Sequence, residues 1–153
     1  MDSAERKDAQ ERVITSLLKG QEQEFFFPDG LLGFASCQRF GLSRYQPPDG
    51  SESPFFLLRA KEEDLSFPLI SPRLLIPHYQ LSPPSEVLTR LGAGSMVDLV
   101  ILVIVTLREQ LEEITVNLQG PLLLNPISRL GLQLVVEDYP VRCPLLARPS
   151  PTW

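Results

Sequence analysis

The sequence predicts an all-β chain, a compact antiparallel β-barrel-like domain with one short helix. Three observations carry that prediction. Proline supplies 15 of the 153 residues, about twice its usual share of ~5%, and it is scattered rather than repeated. Inside a helix, proline removes a hydrogen bond and clashes with the preceding turn, so long helices fit only before Pro28 or between Pro84 and Pro121. Elsewhere the apolar residues gather in short runs rich in β-branched and aromatic side chains, bounded by Gly, Pro, Asn and Asp. About nine or ten such runs can be counted, the pattern of a sandwich or barrel.

In chain order, residues 1–12 are charged and weakly periodic, which predicts a flexible extension outside the domain. Residues 13–18 read as an opening strand. Phe25-Phe26-Phe27 runs into Pro28-Asp29-Gly30, where proline presets φ and glycine accepts φ > 0, as a tight turn requires. Residues 39–45 alternate loosely, and Pro47-Pro48-Asp49-Gly50-Ser51 breaks them. Phe55-Phe56-Leu57-Leu58 reads as a strand covered on both faces. Lys61 to Ser66 is a solvated turn, and short apolar pieces follow at 67–70 and 74–79, with Pro77 pushing the second to a sheet edge. The one helix is predicted over 85–91, with Ser85 as its cap, Glu86 at the positive end and Gly92 ending it. Strands are then expected at 97–107, 114–118, 122–124 and 130–136, the last placing Leu130, Leu132, Leu134 and Val136 on one face. Residues 13–146 thus form one domain, with 147–153 as a tail.

Charge and composition exclude several function classes. A net charge of −5 and a pI near 4.9 argue against direct nucleic-acid binding, which needs clustered Lys and Arg to displace counterions from phosphates. Cys37 and Cys143 form no C-x-x-C pair, so neither zinc nor thioredoxin-like redox chemistry has support, and both read as buried apolar residues. The run 99–105 is too short for a membrane-spanning helix, which needs ~20 residues. With no apolar signal core at the start of the sequence, the cytoplasm is the expected compartment.

A search for catalytic groups finds little. His78, the single histidine, lies between Pro77 and Tyr79 without a serine or cysteine partner in the pattern. Carboxylates suited to acid–base work occur at Glu62-Glu63-Asp64, Glu112-Glu113 and Glu137-Asp138, all at expected strand ends where charge commonly solvates turns. Gly92-Ala93-Gly94-Ser95 lacks the lysine of a phosphate-binding loop. The reading is of a protein without catalytic centre or cofactor that works by binding other proteins. A barrel holding a carbohydrate or other small ligand in its mouth is the alternative.

The stretch Phe27-Pro28-Asp29-Gly30-Leu31-Leu32-Gly33-Phe34 resembles the opening signature of the FliW family of flagellar assembly factors, F-P-x-G-L-x-G-F. Further blocks follow in the family's order: Arg39-Phe40, Pro54 to Ala60, Phe67 to Pro72, Val103 to Thr106, Ile114 to Asn125, Gly131 to Val136 and Tyr139 to Arg142. Leu32 replaces a usual proline, Gly120 a usual alanine, and 20–26 is shorter than the usual first hairpin. The resemblance implies a non-catalytic β-barrel-like domain with two partners. One is cytoplasmic flagellin. The other is CsrA, an RNA-binding translational repressor bound when flagellin has been exported, so that flagellin messenger RNA is translated again. On this reading the chain is a monomer. The expected docking residues are the tip Asp29, Gly30, Leu31 and Leu32 for flagellin and the acidic turns Glu62, Glu63, Asp64 and Glu112, Glu113 for CsrA. Asn117 and Asn125 either cap turns or face a partner.

Overall fold

A computed structural model describes residues 12–14, 16–18 and 20–146. The extension expected at 1–12, apart from Arg12, and the tail at 147–153 lie outside the described residues. Nine strands are described: β1 Gln23–Phe26, β2 Arg39–Arg44, β3 Phe56–Ala60, β4 Ser66–Ile70, β5 Val100–Thr106, β6 Thr115–Val116, β7 Leu122–Asn125, β8 Leu130–Gln133 and β9 Cys143–Pro144. Their order is β4-β3-β2-β1-β8-β7-β5, and β4 also pairs with β5, so seven strands close into a barrel. β6 and β9 continue the sheet beyond β5. All pairings are antiparallel except β1 with β8, which run parallel and meet at Phe26 and Leu130.

Alternation along the strands fills the barrel with the chain's own side chains. Phe25, Phe40, Leu42, Phe56, Leu58, Leu69, Val100, Leu102, Leu122 and Leu124 share one buried cluster, as period-two side-chain direction requires. Ile101, Val103 and Val105 of β5 and Leu123 of β7 face outward into a second cluster with Leu132 of β8. That outer face is covered by the long connection from β4 to β5, through Tyr79, Val87, Leu91 and Leu99. Tyr79 fastens the cover: its hydroxyl donates to the Leu118 carbonyl at 2.6 Å, and its ring lies 4.2 Å from that of Tyr139. The uninterrupted apolar run of β5 follows from this, since a strand buried on both faces has no polar side to alternate with.

The structure differs from the expected elements in several places: besides a 3₁₀ turn over Met96–Asp98, where the strand expected over 97–107 would begin, and a β8 that ends at Gln133 instead of 136, three differences stand out. Residues 12–14 and 16–18 are helical rather than strand, forming α1; Ile14 and Leu18, four residues apart, are buried together against the barrel interior, the spacing of one helix face. The second helix, α2, spans Ser85–Arg90 as expected, but Pro84 occupies the capping position and Ser85 is the first helical residue. Gly92 does end it, at φ +70, with the Gly92 and Ala93 N–H groups donating to the Thr89 and Leu88 carbonyls in the pattern of a Schellman motif. The piece at 74–79 is no strand: Pro72–Leu74 form a 3₁₀ turn, and Arg73 then binds the Tyr79 carbonyl.

The β1–β8 seam is short and is reinforced by particular residues. The Phe26 N–H donates to the Arg129 carbonyl at 2.9 Å. Arg129 itself sits at φ 62, unusual for a residue with a side chain, and its guanidinium spans the seam to the Gln23 side-chain carbonyl at 2.8 Å. Phe27 lays its ring directly on Gly131, where a Cβ would overlap ring carbons. On the other side of β1, away from the seam, Glu22 reaches over Gly41 of β2 to take a two-point contact from Arg59 of β3, at 2.8 and 3.1 Å, and an ion pair from Lys61. These hydrogen bonds, Arg59 first, hold the Glu22 carboxyl below the usual carboxylate range.

Two outcomes follow from the contacts on either side of β1. Gly131→Ala forces the Phe27 ring to shift and lowers unfolding stability by about 1–3 kcal/mol, the usual cost of overpacking, measured by urea denaturation. Glu22→Gln costs no more than about 1 kcal/mol at neutral pH, as for a half-exposed pair. A carboxyl whose value is depressed by folding contributes above its unfolded value and loses that contribution as pH falls through its folded value. The gap in urea midpoint between wild type and Glu22→Gln therefore narrows as pH falls below the ordinary carboxylate range.

Candidate protein-binding surface

The tip after β1 is built by two glycines. Gly30, at φ 65, lies so close to the Phe34 carbonyl and Ala35 backbone that no side chain fits. Gly33, at φ 83, lets 31–34 close as a turn, with the Phe34 N–H donating to the Leu31 carbonyl at 2.7 Å. The turn sorts its side chains: Leu31 is 2% exposed and joins the core, whereas Leu32 is 59% and Phe34 37% exposed. The exposed tip expected over Asp29 to Leu32 is therefore open at Asp29 and Leu32 only, because the turn points Leu31 inward and Gly30 is packed against backbone. Asp29 is held by Arg90 of α2 at 2.7 Å, and the Leu32 N–H donates to the Gln133 side-chain carbonyl at 2.8 Å. Gln133 also donates to the Gly120 carbonyl at 3.0 Å, so one side chain ties the tip to the turn after β6.

The acidic turn Glu62-Glu63-Asp64 joins β3 to β4 and is exposed along its length. Its members differ. Glu62 accepts from the Arg39 N–H at 3.1 Å and pairs with the Arg39 side chain at 3.5 Å. Burial pushes its carboxyl up, but backbone N–H groups led by Arg39 outweigh that and hold it below the ordinary range. Glu63 lies near enough to the fully buried Cys37 to help burial push that thiol up. Phe34 packs edge-on against Phe67 at the start of β4, 5.2 Å between ring centres. The apolar tip and the acidic turn, separate in the sequence, are thereby brought to one place.

Glu112 and Glu113 lie apart on an exposed 3₁₀ turn, Leu111–Glu113, ahead of β6. Both asparagines cap turns. The Asn117 side-chain carbonyl accepts the Gln119 and Gly120 N–H groups at 3.1 and 3.0 Å. Asn125 is 2% exposed; it accepts the Ile127 N–H at 2.9 Å and donates to the Leu91 carbonyl at 2.8 Å, joining the β7–β8 turn to the end of α2. Phe34, Phe67 and Gln133 lie at the tip although the sequence patterns that contain them give none of them a docking role; the one available signal is Gly33, whose turn decides which neighbours face out. His78 is exposed, and among the described residues no three His, Cys, Asp or Glu side chains gather as metal ligands.

Fold and surface together define a small closed β-barrel, packed solid inside, whose distinctive groups lie on its outer loops. The FliW protein family model matches residues 9–145. A flagellar assembly factor FliW of Natranaerobius thermophilus is 40% identical over 124 residues, covering 78% of this chain and 79% of the relative; one of Caldicellulosiruptor bescii is 31% identical, covering 86% and 85%. A crystal structure of the flagellar assembly factor FliW superposes with a TM-score of 0.72 at 26% identity, covering 82% of this chain and 86% of that one. The chain belongs to the FliW family of flagellar assembly factors.

Asn125 serves the fold, and its replacement by Ala is expected to lower stability by about 1–3 kcal/mol, since buried backbone groups lose their partners. Asn125→Asp keeps the acceptor for the Ile127 N–H but buries a charge and sets an oxygen against the Leu91 carbonyl, so its urea midpoint also falls below wild type and recovers as the carboxyl is protonated at low pH.

Proposed function

We propose that this protein acts in the cytoplasm as a non-catalytic binding protein that holds flagellin and, when free of it, binds and antagonises the translational repressor CsrA. Release of flagellin for export would then free the chain to relieve repression of flagellin messenger RNA. Membership of the FliW family is the observation that carries this reading. The surface is compatible with it: the outer loops expose both an apolar tip and acidic turns, and a net charge of −5 favours encounter with a protein whose positive surface otherwise meets RNA phosphate. A ligand held inside the barrel is disfavoured, because the interior is occupied by the chain's own side chains.

The test is titration of the purified chain with flagellin and with CsrA, separately and in competition, at two salt concentrations. Each is expected to bind, each to displace the other, and CsrA binding to weaken at the higher salt as its charged contacts are screened. Failure of both to bind, or simultaneous binding of the two, would overturn the reading.

A further inference from the structure

The apolar tip and the acidic turn are suited to different halves of the same ligand. Leu32 and Phe34 expose apolar surface, and Phe34 touches Phe67, which packs against the barrel core three residues beyond the end of the Glu62-Glu63-Asp64 turn. Of that turn's carboxylates only Glu62 is neutralised, by Arg39; Glu63 and Asp64 make no ion pair among the described residues. An uncompensated negative rim beside an exposed apolar centre complements a segment bearing Lys or Arg along an apolar stripe. Strand addition suits such a segment poorly: β2 and β3 are paired on both sides, and β4 pairs with β5 through Leu69 and Ile70, leaving on that side a short stretch, Ser66 to Pro68, in which Pro68 has no N–H to offer an added strand. What remains is docking through side chains, the mode of an amphipathic helix laid on an apolar surface.

We propose that Leu32 and Phe34, with Glu63 and Asp64, form one docking surface for a cationic amphipathic helix of a partner protein. The inference rests on the binding function proposed above. It adds that apolar and acidic residues act on the same occupant, so that a partner seated on the tip also covers the turn.

Affinities for flagellin and for CsrA are measured with wild type, Leu32→Glu and Glu63→Lys, and with Glu52→Lys as a control. Leu32 uses only its backbone N–H in the fold, so the substitution leaves the barrel intact. Glu52 lies in the β2–β3 loop, at the opposite end of β3 from the acidic turn, and its reversal changes net charge equally. At least one partner is expected to lose affinity about tenfold or more in both Leu32→Glu and Glu63→Lys, with Glu63→Lys alone flattening the salt dependence and Glu52→Lys within about twofold of wild type. Leu32→Glu weakening one partner and Glu63→Lys only the other would mean two sites and overturn the proposal, as would unchanged binding in both. If wild type binds neither partner, the binding function itself fails and this surface falls with it.

Discussion

Strand β5 has to be buried on both of its faces, and most of the architecture follows from that requirement. Its inward residues Val100 and Leu102 complete the barrel interior, while Ile101, Val103 and Val105 belong to a second cluster outside. A bare outer face would leave a contiguous apolar patch in water, so the chain spends the whole connection from β4 to β5 on covering it. Tyr79 makes the cover specific. A buried hydroxyl without a partner costs free energy, and here it finds the Leu118 carbonyl, which fixes where the connection crosses the sheet.

Closure has a second consequence. Because β4 returns to β5, each of the seven barrel strands has a neighbour on both sides, and closure limits the hazard of edge-to-edge association. The weakest join is the parallel contact of β1 with β8, where strand pairing is down to Phe26 and Leu130. Arg129 in a left-handed conformation and Phe27 seated on Gly131 both lie at it. The seam is held by side chains where the backbone ladder is short.

These dependencies explain what could be read in the sequence. The barrel was legible because its strands have period two and its turns carry Gly, Pro and Asn; β5 was legible as an unbroken run. Residues 13–18 were not, since Val13-Ile14-Thr15 has strand composition and six residues cannot separate a helix from a strand by period; Ile14 and Leu18 become a helix face only once the barrel is there to receive them. Leu31 was misplaced for a similar reason. A glycine-bearing turn is recognisable from sequence, but which of its leucines points inward depends on the strand it leaves. Gly131 carries no turn signal at all, because its need is for a ring arriving from Phe27. Asn117 and Asn125 were open between turn and partner until the hydrogen bonds assigned both to turns.

The candidate surface was half legible, and the half that was missing is the juxtaposition. Acidic residues were visible as charge, and their differing burdens were not. Glu22, Asp29 and Glu62 each hold a basic side chain, so removing any of them would leave a cation or a backbone donor without its partner. Glu63 and Asp64 answer no basic group among the described residues. Adjacent carboxylates on one exposed turn repel one another, and the repulsion is stronger at low salt. The barrel gains nothing from retaining like charges there: Glu62 alone satisfies the Arg39 N–H, and the interior is complete without them. Charge that the fold does not use is thus set beside apolar side chains, Leu32 and Phe34, that the fold does not bury.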